Sequence, residues 1–163
     1  MAGNDDVDRV WTIIERVGTC MLTTQGPNGL HARPMEARPD RSSELIWFVT
    51  DSRSTKEHEV GFDREIALAF FDRDENAYLS ITASAEGMRD HAVTAAIWKA
   101  TNNMWWDGPD GQNVGLLRAT PRMAGLWDGP SSKVIAVFEF LKSQITGANP
   151  NLGENRKTTV NMP

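Results

Sequence analysis

The stretch WFVTDSRSTK, residues 47–56, changes character at its midpoint. Trp47, Phe48, Val49 and Thr50 are aromatic or β-branched, types that suit a pleated, half-buried surface, whereas Asp51, Ser52, Arg53 and Ser54 favour turns and caps. The stretch therefore reads as a strand ending in a polar elbow. Ser54-Thr55-Lys56-Glu57 then fits the S-x-x-E capping box, in which serine and glutamate satisfy each other's orphan amides at a helix start. A hydroxyl, unpaired backbone N–H groups and an early lysine form either an anion site or the plain beginning of a surface helix.

Outward from this elbow, short strands and turns alternate. Before it come CMLTT, the turn QGPNG, LHARPMEA and the turn RPDRSS; after a helix to about Val60 come IALAFFD, the turn DRDEN and the long AYLSITASAEGM. This predicts antiparallel hairpins in sequence order, close to the number of strands that closes a small barrel. A first helix is expected from Asp5 or Asp6, with Val7, Val10, Trp11, Ile14 and Val17 at helical spacing and Gly18 as its stop. Asp90 can cap a helix HAVTAAIWKAT that runs into the aromatic loop NNMWWDGPDG. VGLLRATPRMAGLWDGP supplies one or two strands, with Pro121 implying an edge or a bulge. Ser131 to Thr146 carries apolar residues at helical spacing, and the tail from 146 to 163 reads as irregular.

The chain of 163 residues is expected to form a single domain over 1–163, mainly β with flanking helices. Its formal net charge is −5 and its 17 Lys and Arg are scattered, which argues against a nucleic-acid partner, because phosphate neutralisation needs a concentrated basic face. No run is long and apolar enough for a membrane span. The acidic opening MAGNDDVDRV lacks the layout of a secretory signal, so a cytoplasmic location is expected. Cys20, the only cysteine, reads as a small core residue, and Asp72, Asp74 and Glu75 as a solvated hairpin turn. His31, His58 and His91 show no metal-ligand spacing, so no metal is expected. Six tryptophans point to a wide aromatic pocket or an interface, with core packing the alternative for any one of them.

The order MLTT, ARPM at 32–35, WFVTDSRSTK, LAFFD and TPRMAGLWDGPSSKV resembles the pyridoxine 5′-phosphate oxidase-like split-barrel flavoproteins, most closely their general stress protein branch, from about Val10 to about Gly153. The resemblance implies an antiparallel split β-barrel, FMN as cofactor, and a homodimer with flavin at the interface. It implies that Ser54, Thr55 and Lys56 cradle the flavin phosphate, with Arg53 or Arg33 compensating for the arginine that related oxidases place at Thr55. It also implies that the backbone of Arg33, Pro34 and Met35 borders the ring or ribityl chain, that Phe48, Val49 and Thr50 flank the flavin edge, and that Trp127 reaches flavin from the partner chain. Trp105 and Trp106 are candidate walls of the same cleft. The expected activity is a flavin-dependent oxidoreductase exchanging electrons with small molecules. A flavin-storage protein and a deazaflavin-dependent reductase on the same fold are the alternatives. A true pyridoxine phosphate oxidase is not expected, because DGPSSKVIAVFEF after Trp127 holds Lys133 as its only cation where those oxidases carry an Arg-x-His-x-Arg run.

Overall fold

The computed structural model describes residues 3–128 and 156–162. Helix α1, Asn4–Val17, buries Val10, Trp11, Ile13 and Ile14 on one face. Its cap is Gly3, two or three residues before the aspartates expected to cap it: Gly3 O accepts from Asp6 N, while the Asp6 carboxylate accepts from Gly3 N. Gly18, at φ +72°, ends the helix by donating its N–H to Ile14 O, a left-handed position where glycine carries no Cβ penalty.

Eight strands follow: β1 Thr19–Gly26, β2 Gly29–Glu36, β3 Arg38–Asp40, β4 Leu45–Asp51, β5 Glu65–Asp72, β6 Ala77–Met88, β7 Val114–Asp128 and β8 Arg156–Asn161. Helix α2, Thr55–Phe62, joins β4 to β5; helix α3, His91–Ile97, and a 3₁₀ turn at Ala100–Met104 join β6 to β7. The strands form one antiparallel sheet in the order β2-β1-β5-β6-β7-β4-β3, with β8 also on β7. No ladder joins β2 to β3 among the described residues, so the barrel is split there.

The strand pairing departs from a meander in sequence order. The hairpin β1–β2 forms as expected, but β4 pairs with β3, from within the expected turn, rather than with β2, and the two hairpins lie at opposite ends of the sheet because β4 also pairs with β7, nearly 70 residues later. The turn expected at RPDRSS is shorter than its composition suggests, since Arg38–Asp40 pairs with Leu45–Trp47. β7 is a single strand flanked by β6 along its length, by β4 on its first half and by β8 on its second. Pro121 stands between Ala119, the last partner of β4, and Met123, the first of β8, beside a register shift opposite Thr82 and Ala83. A residue without an amide hydrogen is tolerated where the ladder is already interrupted. The tail expected to be irregular supplies β8, whose Val160 is buried and pairs with Ala124. The helix expected at Ser131 to Thr146 lies outside the described residues.

The core gathers Leu22, Phe48, Leu68, Ile81 and Leu117 from the sheet against the buried face of α1. Cys20 is buried there, and burial pushes its thiol up to about 12, which leaves almost no thiolate at neutral pH. Asp72 corrects the picture of a solvated acidic turn. It is buried, its carboxylate accepts the amides of Asp74 at 3.1 Å and Glu75 at 3.2 Å, and Arg16 Nε donates to it at 2.7 Å. Burial pushes this carboxyl up, but the amides and Arg16 outweigh it and hold it below the usual range. A carboxyl depressed in the folded state contributes stability above its unfolded value of about 3.9, and that contribution is lost as pH falls through the folded value. Urea midpoints of Asp72→Asn and wild type are therefore expected to differ at pH 7 and to converge as pH falls through the depressed folded value; a pH-independent difference would assign the effect to shape instead.

Candidate functional site

The elbow after β4 is built by its own side chains. Ser52 N donates to Asn113 O, Ser54 N donates to Asp51 O, and the Asp51 carboxylate accepts the amide of Arg53 at 2.8 Å and its guanidinium at 3.0 Å. The Arg53 hydrogen bonds come first among the causes that hold the Asp51 carboxyl below its usual range. Ser54 occupies the N-cap of α2 with extended backbone, φ −73° and ψ 156°, but its hydroxyl caps nothing. The expected serine half of the capping box is not made. Instead Ser54 Oγ is buried with no hydrogen-bond partner, and so is Thr50 Oγ1 one turn of chain earlier. Buried hydroxyls are seldom left unpaired in native proteins.

Beside these hydroxyls lies an open cleft of about 510 Å³, within the usual size range of small-molecule sites. One wall is the end of β2, Arg33 to Glu36; another is Val49, Thr50 and Asp51; Lys56 adds a cation from the first turn of α2; and the 3₁₀ turn contributes Thr101, Asn102 and Met104, followed directly by Trp105 and Trp106. The aromatic wall is held from behind. Trp98 meets Trp106 edge-on at 6.2 Å, and Trp98 Nε1 donates to Asn103. The buried guanidinium of Arg38 donates through Nε to Ile97 O, lies 3.5 Å from Asn102 Oδ1 and pairs with Glu36 at 2.6 Å. Burial pushes the Glu36 carboxyl up, yet Arg38 and Lys99 outweigh it and hold it low. The mixed charge of the sequence around Arg38 carries no sign that this arginine is buried.

Eight of the residues singled out from sequence line this cleft: Arg33, Pro34, Met35, Val49, Thr50, Lys56, Trp105 and Trp106. Ser54 is not among the lining residues; its buried hydroxyl stands at the N-cap of α2, two residues before Lys56. Three are elsewhere. Phe48 is fully buried in the core, because the pleat of β4 turns its ring toward Leu22 and Leu117 rather than outward. Thr55 lines a second hollow of about 560 Å³ between α2 and the β1–β2 hairpin. Trp127 is on β7, paired with Tyr78 and Lys157, its ring half-exposed under the Lys157 ammonium at 5.4 Å; it does not line the cleft of its own chain.

The two arginines expected to supplement Lys56 are both paired with carboxylates. Arg53 is held by Asp51. Arg33 Nη2 donates to Glu59 at 2.7 Å and Arg33 Nη1 to Thr24 Oγ1 at 2.7 Å. Glu59 was not singled out in the sequence, where a glutamate in a short polar helix resembles any solvated one. It is buried, it accepts hydrogen bonds from Thr24 Oγ1 and Arg33, and it lies 3.2 Å from His31 Nδ1. The Thr24 hydrogen bond, with those from Arg33 and His31, outweighs burial and holds its carboxyl below the usual range.

Against known families, the model of the pyridoxamine 5′-phosphate oxidase-like proteins matches residues 5–151. The chain belongs to this family. No curated protein matches it. Among solved structures, this pyridoxamine oxidase-like chain is similar to the general stress protein 26 of Jannaschia sp. CCS1, at 23% identity, covering 98% of this chain and 99% of that one with a TM-score of 0.78. It is similar to a general stress family protein of Xanthomonas campestris pv. campestris at 30% identity over 81% of this chain and 93% of that one, TM-score 0.69. It is also similar to the general stress FMN/FAD binding protein of Xanthomonas citri, at 27% identity over 80% of this chain and 93% of that one, TM-score 0.71. The fold is that of the split-barrel proteins of this family, with an antiparallel sheet that does not close. Among the described residues, no helix is long and apolar enough to cross a membrane, and no group of side chains could hold a metal ion.

The residues present fit a flavin-type cofactor. Orphaned hydroxyls at Thr50 and Ser54 are acceptors and donors without protein partners, Lys56 brings positive charge, and the α2 N-terminus adds the positive end of a helix dipole. Indole walls beside an open slot suit a flat ring.

Proposed function

We propose that this protein binds FMN in the cleft between β2, β4, α2 and the 3₁₀ turn, and acts as a flavin-dependent oxidoreductase of the general stress protein type. The observation that carries the reading is the pair of buried, partnerless hydroxyls, Thr50 Oγ1 and Ser54 Oγ, just before a helix that carries Lys56 in its first turn. Ser54 and Lys56 would hold the phosphate, the backbone from Arg33 to Met35 would border the ring, and Trp105 and Trp106 would shield one face. Bound FMN would supply reversible electron transfer, with the protein tuning it through hydrogen bonds to the ring edge. The wide aromatic wall favours a flat, largely apolar acceptor over a phosphorylated vitamin, which needs a second set of basic residues.

The test is the purified protein loaded with FMN. A shifted flavin spectrum, bleaching by NADPH or NADH without oxygen, and recovery on adding a quinone support the reading. Absence of pyridoxal phosphate formation from pyridoxine 5′-phosphate and oxygen separates it from the true oxidases. A protein that leaves the flavin spectrum unaltered overturns it, and a bound flavin that no nicotinamide reduces points to storage.

A homodimer with flavin at the interface is part of the same proposal. The outer face of the sheet presents Met21, Phe71, Tyr78, Met123 and Trp127, all exposed, with Phe71 stacked on Tyr78 at 4.6 Å. Contiguous apolar surface of this kind commonly marks association. Light scattering at micromolar concentration is expected to return twice the chain mass, and Trp127→Glu to return the chain mass with a weakened flavin site. A monomeric wild type that still binds FMN would refute the shared site.

A further inference from the structure

Each arginine around the cleft faces a carboxylate: Arg33 faces Glu59, Arg38 faces Glu36 and Arg53 faces Asp51. The Arg33–Glu59 pair differs from the exposed Arg53–Asp51 pair in being largely buried, with side chains 19% and 9% exposed. It also differs from Arg38–Glu36 in joining two elements of the cleft, β2 and α2. The sequence builds the pair deliberately close. A Cβ on Gly26 would stand 3.0 Å from Glu59 Cγ, so any larger residue at the end of β1 would push the glutamate stem back by a few tenths of an ångström. Thr24 then bridges both partners through its hydroxyl, accepting from Arg33 and donating to Glu59.

We infer that Glu59 is a specificity-determining residue: it keeps the Arg33 guanidinium compensated and engaged on the side of β1 and α2, so that Arg33 adds little to the positive charge that Lys56 and the α2 N-terminus bring to the cleft. The inference rests on the flavin reading above and adds to it how strongly the cleft distinguishes a phosphorylated from an unphosphorylated flavin. A guanidinium at 2.7 Å from a buried carboxylate presents little net charge to a third group, and its fork geometry is engaged by two acceptors on the side of β1 and α2. Arg33 lines the cleft and Glu59 lines the hollow behind α2, so the ion pair forms the partition between the two. With the carboxylate neutralised, the same guanidinium adds one uncompensated positive charge to the wall of the cleft.

The experiment titrates apoprotein with FMN and with riboflavin, following quenching of flavin fluorescence, in the wild type, Glu59→Gln, Arg33→Met and the double variant. The glutamine keeps the shape of the side chain and removes its charge. Glu59→Gln is expected to raise the preference for FMN over riboflavin by about tenfold, the lower end of what one charge-assisted contact contributes. Arg33→Met alone is expected to change that preference by less than about threefold, and the double variant to lose the gain, which makes the coupling visible as a double-mutant cycle. A role limited to holding α2 in place would instead weaken both flavins equally in Glu59→Gln, and that result overturns the inference. If Glu59→Gln does not fold, Arg33→Met decides: a loss of FMN preference comparable to that of a Lys56 variant overturns the inference, and an unchanged preference sustains it. Failure of the wild type to bind either flavin overturns the flavin reading and this inference together, whereas wild-type binding with a lost preference in Arg33→Met overturns the inference alone.

Discussion

Replacing Lys56 by methionine is expected to weaken FMN binding by about tenfold to a hundredfold and to leave riboflavin binding within about twofold. The lysine lines the cleft from the first turn of α2, where its ammonium and the positive end of the helix dipole would both act on a phosphate bound there. Only FMN carries the phosphate, so the two ligands isolate the charge contact from everything that holds the ring. Methionine preserves much of the side-chain length and apolar stem, which limits the change to the ammonium. Isothermal titration at two salt concentrations adds a second reading: the FMN affinity of the wild type should fall with salt more steeply than that of Lys56→Met. Equal losses for FMN and riboflavin would remove the phosphate from this helix start.

Phe48→Ala is expected to cost about 3–5 kcal/mol of folding stability. Phe48 is fully buried among Leu22, Leu68, Ile81 and Leu117, and truncation leaves a cavity that a close-packed interior fills poorly. It adjoins Val49 and Thr50, which do line the cleft, so residue number alone would place it with them. Urea unfolding separates the two roles. A core residue shifts the midpoint strongly in the absence of flavin, whereas a residue whose only task is flavin contact would leave the apoprotein midpoint within about 0.5 kcal/mol of wild type.

The elements that sequence made legible are those with strong local periodicity. α1 follows its apolar spacing, β5 alternates buried and exposed without exception, and Asp90 caps α3 by accepting the amide of Val93. The elbow at residues 51–54 and the strand before it also lie where the change from β-branched to turn residues puts them. Local chemistry suffices for these because each depends on neighbours a few residues away. The same holds for Lys56, Trp105 and Trp106, whose residue types single them out and whose loops deliver them to one cleft.

What the sequence alone determined is six of the eight described strands, β3 and β8 excepted, the helix start and the resemblance that names a flavin. Only the tertiary structure decided their neighbours. The pairing of β4 with β7, the capture of residues 156–161 as β8 and the placement of Phe48 in the core depend on partners distant in the chain, which local pattern does not encode. The state of the charges was decided there too. Arg33 and Glu59 are 26 residues apart and look like two solvated ions in the sequence, yet β1, β2 and α2 bring them to 2.7 Å in a largely buried setting. The orphaned hydroxyls of Thr50 and Ser54 belong to the same class. A serine before a helix predicts a cap, and whether its oxygen instead turns into a closed space without a partner is settled by everything packed around it.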